Sequence, residues 1–365
     1  MKIMYFSKYN KIILNLFIYA IIFYLLIHSK LVVASISEST SLFISKLLPA
    51  LFPYILITEL LINSGKTKDL AYGISYAISK LFRIPINCST AVIIGFLLGY
   101  PNSAKYILNL YNTKQIDSKT ATKLVAFTSN ANMSYIIATI GISMFKSFEI
   151  GIILTISHFL SAVIIGIMYK PIINNNIIQQ TNINSNSFEK IYSPFELLYI
   201  SISGTLKTLA YIFSYTVIFS LIPQVVFSDL NLPQILTAIM TGIFEISNGI
   251  NSIYLLNIPL NLKLALTSFI LSFSSLMILM QIFSFVHKTK VKFKDLLKYK
   301  FLQGILSCVI TFIIITFIYI PTLPVSLNND VFIDGSLMLP STLYMFAMFI
   351  TILLSIILFR KKRQG

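Results

Sequence analysis

"GFLLGYPNSAKY", Gly95 to Tyr106, begins as an apolar run fit for a bilayer, then stops at Gly99, bends at Pro101, offers Asn102 and Ser103, and presents Lys105. Proline removes a backbone donor and glycine loosens a helix, so the break frees polar backbone groups that lipid cannot satisfy. Such a break must face protein or water. The stretch therefore reads as the junction of a discontinuous helix at membrane depth.

Composition agrees with a membrane setting. Of 365 residues, 56% are hydrophobic and 11% charged, with a mean hydropathy of +0.83; soluble domains carry about 25% charged residues. The excess of 28 Lys+Arg over 12 Asp+Glu raises nucleic acid as a partner. The lysines, however, fall in short stretches between apolar runs, the pattern by which a membrane protein sets its orientation. Nucleic acid is thus not an expected partner. Cys88 and Cys308 lie far apart in apolar stretches without a CxxC or Cys/His cluster, and read as small core residues.

The clearest spans are Ile12 to Ile27, Ile150 to Tyr169, Phe301 to Ile320 and Leu343 to Phe359, each near the length a tilted helix needs. Lys2, Lys8 and Lys11 precede the first span as in a signal peptide, but Lys30 separates it from the "VVAS" at Val32, which suits an uncleaved span better. From Leu47 to Phe145 the apolar segments are interrupted at Pro49 and Pro53, Gly65, Pro85, Gly99 to Pro101, and Thr128 to Asn132. The second half is punctured in the same manner, with polar interruptions in Phe195 to Ile222, a break in "FEISNGINS" (Phe244 to Ser252), and serines within "SFSSLMILMQ" (Ser272 to Gln281). Two halves broken at comparable places suggest an inverted or parallel repeat. The expected division is 1–45 for an N-terminal span and connector, 46–170 for the first half, 171–193 for a polar linker, 194–300 for the second half, and 301–365 for a C-terminal pair of spans with a basic tail.

Orientation follows from the basic stretches. "HKTKVKFKDLLKYK" (His287 to Lys300) and the tail "RKKRQG" are rich in Lys and Arg, whereas the connection holding Asp330 and Asp334 has neither. The C-terminus is expected on the cytoplasmic side.

Ionisable residues at membrane depth are costly and therefore informative. Lys105 follows a break whose restarting helix presents N–H groups, and a helix N-terminus beside a lysine suits an anion; the alternative is that its stem lets the ammonium snorkel to an interface. Glu59 and Glu245 occupy similar settings in the two halves. They read either as partners of Lys105 or Lys207 in buried ion pairs, or as residues handling substrate, a proton or an ion. His158 in "TISHFLSA" stands on an apolar face and reads as a hydrogen-bonded packing residue ahead of a proton relay. Asn130 and Asn132 in one break, Ser247 and Asn248 in another, supply donors and acceptors for a small polar ligand or caps for half-helices. HExxH, GxSxG, Walker A and GxGxxG are all absent, so no enzyme activity is expected.

"KLLPALFPYILITELL" (Lys46 to Leu61), "GFLLGYPNSAK" (Gly95 to Lys105) and "AFTSNANMSYII" (Ala126 to Ile137) together resemble the YlbJ (SpoVV) family of sporulation integral membrane proteins. That family is grouped with proteins carrying nucleoside-transporter-like Gate domains. "GIFEISNGI" (Gly242 to Ile250) and "SFSSLMILMQIFS" (Ser272 to Ser284) are similar to its second-half motifs, a Glu-containing break and a Gly-rich run ending in Gln. Ser103, Met133, Ser272, Ser274 and Ser275 depart from the family's usual glycines or proline.

The resemblance implies an all-α polytopic fold with two repeat halves of transmembrane and re-entrant or broken helices, like a concentrative nucleoside transporter. It also implies transport of dipicolinic acid from the mother cell across the outer forespore membrane. On that reading Gly99, Tyr100, Pro101, Asn102, Ser103, Lys105, Asn130, Asn132, Glu245, Ser274, Ser275 and Gln281 bind substrate, and Glu59 or Glu245 couples a proton or ion. The expected partners are a small anion, membrane lipid and, in a homo-oligomer, further copies of the chain; no cofactor or metal is called for. A nucleoside-like solute, or a scaffold that organises a sporulation complex without transporting, are the alternatives.

Overall fold

The computed structural model describes residues 23–64, 73–169, 192–227 and 232–317, together with residues 15, 19 and 230. Within these the chain is all-helical, and five helices are long and apolar enough to cross a membrane, or six if one bent pair counts as a span. The chain is an integral membrane protein. The first expected span is described only in part, and most of the 171–193 linker, Asp330, Asp334, the span expected at 343–359 and the basic tail lie outside the described residues.

The first rod runs unbroken over Ser29–Asn63. It comprises α1 (Ser29–Leu42), a π-helical turn (Phe43–Leu47) and α2 (Leu48–Asn63). Breaks expected at Pro49 and Pro53 are therefore not found. Leu48 N donates to Phe43 O, five residues back, and this wider turn lies where a proline ring at Pro49 would otherwise crowd the carbonyl four residues earlier. Pro53 is taken up inside α2.

Next come α3 (Ser75–Phe82) and, after a 3₁₀ turn, α4 (Ser89–Leu97). The two are bent by 103° around Pro85, as its proline predicts. Arg83 ends α3 in the left-handed region. The fully buried Lys123 donates to Phe82 O and, at 3.5 Å, to Arg83 O, putting a cation on the carbonyl end of α3, where the helix dipole favours it.

After α4 the chain breaks and restarts as α5 (Asn102–Asn112), turns into α6 (Ser118–Thr128), breaks again, and continues as a π-helix (Tyr135–Met144) and α7 (Phe148–Met168). Asp117 caps α6 by accepting from Thr120 N, and Ser147 caps α7 by accepting from Ile150 N.

In the second half α8 (Pro194–Phe227) is one 34-residue helix, not the interrupted segment its polar residues suggested. Those residues bond back to their own helix: Thr205 to Ser201 O, Thr208 to Gly204 O and Ser214 to Ala210 O, all within 2.8–2.9 Å. Such back-bonding satisfies a hydroxyl without opening the helix. Breaks do occur at Glu245, between α9 (Gln234–Phe244) and α10 (Ile246–Leu255), and at Ser274, between α11 (Leu260–Phe273) and α12 (Ser275–Val286). Gly249 and Gly242 bring α10 and α9 together backbone to backbone, with no room for a Cβ on Gly249.

The last described helix, α13 (Phe293–Phe317), starts well before Phe301, so Lys294, Lys298 and Lys300 belong to its first turns and not to a loop. Its buried face carries Lys300, Gln303, Gly304, Ser307 and Thr311. Ser307 and Thr311 lie 2.6 and 2.7 Å from Ser268 Oγ on α11. A polar stripe turned inward is how a membrane helix hides hydrogen-bonding groups from lipid.

Candidate functional site

The helix breaks converge. A small cavity is lined by Leu98 and Tyr100 from the first break, Asn132 and Tyr135 from the second, Ile246 and Ser247 from the third, and Met277, Ile278 and Gln281 beyond the fourth. Leu47, Leu51, Ile55, Ile212 and Thr216 from the two long rods complete the lining. Its volume of about 50 Å³ suits a few water molecules. A larger solute needs the surrounding helices to part.

The first two breaks interlock through their backbones. Gly99 is left-handed at φ +69°, and a Cβ there would stand 2.8 Å from Asn130 O and 2.9 Å from Asn132 N. Tyr100 N donates to Asn130 O at 2.9 Å, and the Tyr100–Pro101 peptide is cis. Glycine is the residue that permits both the dihedral and the approach. Tyr135 and Ser247 join the second break to the third, their hydroxyl oxygens 3.1 Å apart.

Of the residues expected to bind substrate, Tyr100, Asn132 and Gln281 line the cavity, and Gln281 Nε2 has no partner among the described residues. Asn132 Oδ1 also accepts from Ser134 N at 2.8 Å, so its amide caps the restarting helix as well. Pro101 leads into α5, where both side-chain amide atoms of Asn102 and the hydroxyl of Ser103 are buried without a described partner. Ser274 has the left-handed φ of +72° that turns the fourth break, and the buried Ser275 hydroxyl is unpaired among the described residues. Neither lines the cavity.

Lys105 stands apart from this lining. Its Nζ lies 3.1 Å from Glu59 Oε1 and 2.9 Å from Thr208 Oγ1, above the Phe285 ring. The Glu59 carboxylate rests against Gly204 on α8. Of the two readings for Glu59, the geometry shows the ion pair, with Lys105; Lys207 is exposed. Glu245 does something else: fully buried, it accepts from Ser247 N at 3.0 Å and Asn248 N at 2.7 Å, capping α10 with a carboxylate.

One further cluster lies behind the second break. Lys300 Nζ donates to Gln303 Oε1 at 2.7 Å, and Gln303 Nε2 donates to Asn130 Oδ1 at 3.2 Å and to His158 O at 3.4 Å. His158 Nε2 accepts from Ala131 N at 3.1 Å, and Nδ1 lies 2.8 Å from Ser272 Oγ. Lys300, Gln303, Asn130, His158 and Ser272 are all fully buried. His158 is hydrogen-bonded as its packing role predicts, though on a polar face and not an apolar one. Lys300 and Gln303 were missed because the lysine sits at the end of a basic run; the available signal was the helical spacing of Lys300, Gln303, Ser307 and Thr311.

Over 294 residues, 72% of this chain and 72% of the relative, the chain is 21% identical to the sporulation integral membrane protein YlbJ of Bacillus subtilis (strain 168). This likeness supports the family resemblance carried by the motifs. No protein-family model matches the chain, and no solved structure matches it.

Proposed function

On the premise that the chain is a divergent member of the YlbJ family, we propose that it is a carrier of a small polar solute, dipicolinate by the family's implication. Transfer would run from the mother cell across the outer forespore membrane, with the C-terminus cytoplasmic. The observation that supports this is the meeting of broken helices at one cavity. Half-helices that end near a common point supply free backbone groups and a pivot, the arrangement by which secondary carriers bind a solute and rock around it. Dipicolinate is a flat ring with a carboxylate on either side of the ring nitrogen. Tyr100, Tyr135, Asn132, Ser247 and Gln281 offer hydroxyl and amide donors, while Leu51, Ile55, Ile212 and Met277 offer an apolar slot.

A second reading has its own support. The cavity lining contains no Lys, Arg or His, which suits a neutral, nucleoside-like solute.

Uptake of labelled dipicolinate into proteoliposomes, with uridine as competitor, separates the two. The carrier reading expects uptake by the wild type, indifferent to uridine, and a loss of about tenfold or more in Gln281→Leu, since a hydrogen bond to a charged group contributes about 1.5–3 kcal/mol. Inhibition by uridine favours the nucleoside-like solute. Absence of dipicolinate uptake by folded wild type overturns the substrate, and full uptake by Gln281→Leu overturns the cavity.

A further inference from the structure

An anion entering a cavity without a cationic wall needs compensating charge from elsewhere, and the cluster behind the second break holds a candidate. Asn132 lines the cavity; two residues earlier, Asn130 accepts from Gln303, which in turn accepts from Lys300. Lys300 is fully buried in a membrane helix, and the ion pair found among the described residues, Glu59 with Lys105, does not involve it. An ammonium so placed is costly unless an opposite charge compensates it. We infer that Lys300 is a proton-binding site linked to anion occupancy of the cavity, so that solute and proton move together. This rests on the carrier reading above.

The hydrogen bonds favour Lys300 over its neighbours. A backbone N–H can only donate, so the contact from Ala131 N makes His158 Nε2 the acceptor and leaves the ring proton on Nδ1, facing Ser272 Oγ. A second proton on His158 would break the bond to Ala131. From α6, the Lys123 ammonium is held on the Phe82 and Arg83 carbonyls and lies 5.9 Å from the Tyr169 ring. On the sides of α11 and α12, the buried polar groups are Thr267, Ser268, Ser272, Ser274, Ser275 and Gln281, none of them charged. Along α13 itself, Asp295 makes no ion pair with Lys300, and Lys294, Lys298 and Tyr299 complete its charged and titratable groups near that end. The amine of Lys300 can donate to Gln303 Oε1 with or without its extra proton, so the cluster survives both states. When the anion enters, a hydronium ion of the bathing water gives its proton to the Nζ lone pair, its O–H bond breaking to leave H2O; on release the new N–H bond breaks, the electron pair stays on nitrogen and the proton passes to water on the exit side.

The full chain in proteoliposomes tests this, with labelled dipicolinate and a pH-sensitive dye inside the vesicles. The readout is the ratio of uptake with and without an acid-outside gradient. For one proton per solute and a gradient of ~1 pH unit, the wild-type ratio approaches about tenfold, and added dipicolinate acidifies the lumen. Lys300→Met, and Lys300→Arg with its permanent charge, should both bring the ratio to one and abolish the dye response. Lys300→Gln, which keeps a donor for Gln303, should do the same and guards against misfolding of the methionine variant. Wild-type uptake without proton movement, or a gradient response kept in Lys300→Gln, overturns the inference alone. A wild type that takes up no dipicolinate even downhill overturns the carrier reading and this inference with it.

Discussion

Gly99→Ala tests whether the two breaks of the first half truly sit backbone to backbone. At φ +69° the residue is in the left-handed region, where a Cβ costs about 1–2 kcal/mol. That Cβ would also press on Asn130 O at 2.8 Å and Asn132 N at 2.9 Å, atoms of the opposite break that move only if the break moves. Overpacking of this kind adds about 1–3 kcal/mol, for a total of about 2–5 kcal/mol. Gly73→Ala is the matched control: its φ is +88°, and nothing lies within 4 Å of its Cβ position, so it carries the conformational cost alone. Equilibrium unfolding of both variants in mixed micelles should therefore separate them by about 1–3 kcal/mol. Equal destabilisation would refute the contact between the breaks, and with it the interlock that frames the cavity.

Two other expectations follow from the geometry. Glu59→Gln and Lys105→Met should couple in a double-mutant cycle of unfolding by about 1–2 kcal/mol, between the values for exposed and buried pairs, because the two side chains are 12% and 31% exposed; additive costs would show that the pair does not bind α2 to α5. Gly249→Ala should cost more than about 3 kcal/mol, at the upper end of overpacking effects, since its Cβ falls on the Gly242 backbone; near-wild-type yield and unfolding of that variant would refute the crossing of α9 and α10.

The breaks were legible because Gly99, Pro101, the Asn130 to Asn132 stretch and Glu245 puncture runs that are otherwise uniformly apolar, and lipid tolerates no such puncture without a reason. Pro49 and Pro53 misled for a physical reason: a π-helical turn ahead of Pro49 lets the helix run on. Serines and threonines of α8 misled likewise, because a hydroxyl that bonds to the carbonyl of the preceding turn looks polar in a sequence but leaves no unpaired group in a membrane. Which break meets which was not legible, since spatial convergence of residues as distant as Tyr100 and Gln281 leaves no local pattern. Lys300 was hidden by its company: Lys294 and Lys298 share its helix and its charge, and only the side of α13 on which each falls distinguishes the buried one.

At 1.5 Å per residue, the 34 residues of α8 reach about 51 Å, and the Ser29–Asn63 rod packed against it is of similar length. The hydrocarbon layer is about 30 Å thick, so both rods must cross obliquely or overshoot it. An oblique helix answers a change of thickness by changing its inclination, at a fraction of a kcal/mol per Å. Gly204 and Thr208, which seat Glu59 and Lys105, ride on α8, and Ile212 and Thr216 of the cavity wall ride with them. The acyl-chain length of the host lipid thereby becomes a control on the width of the cavity, acting through two rods that line it along only part of their length.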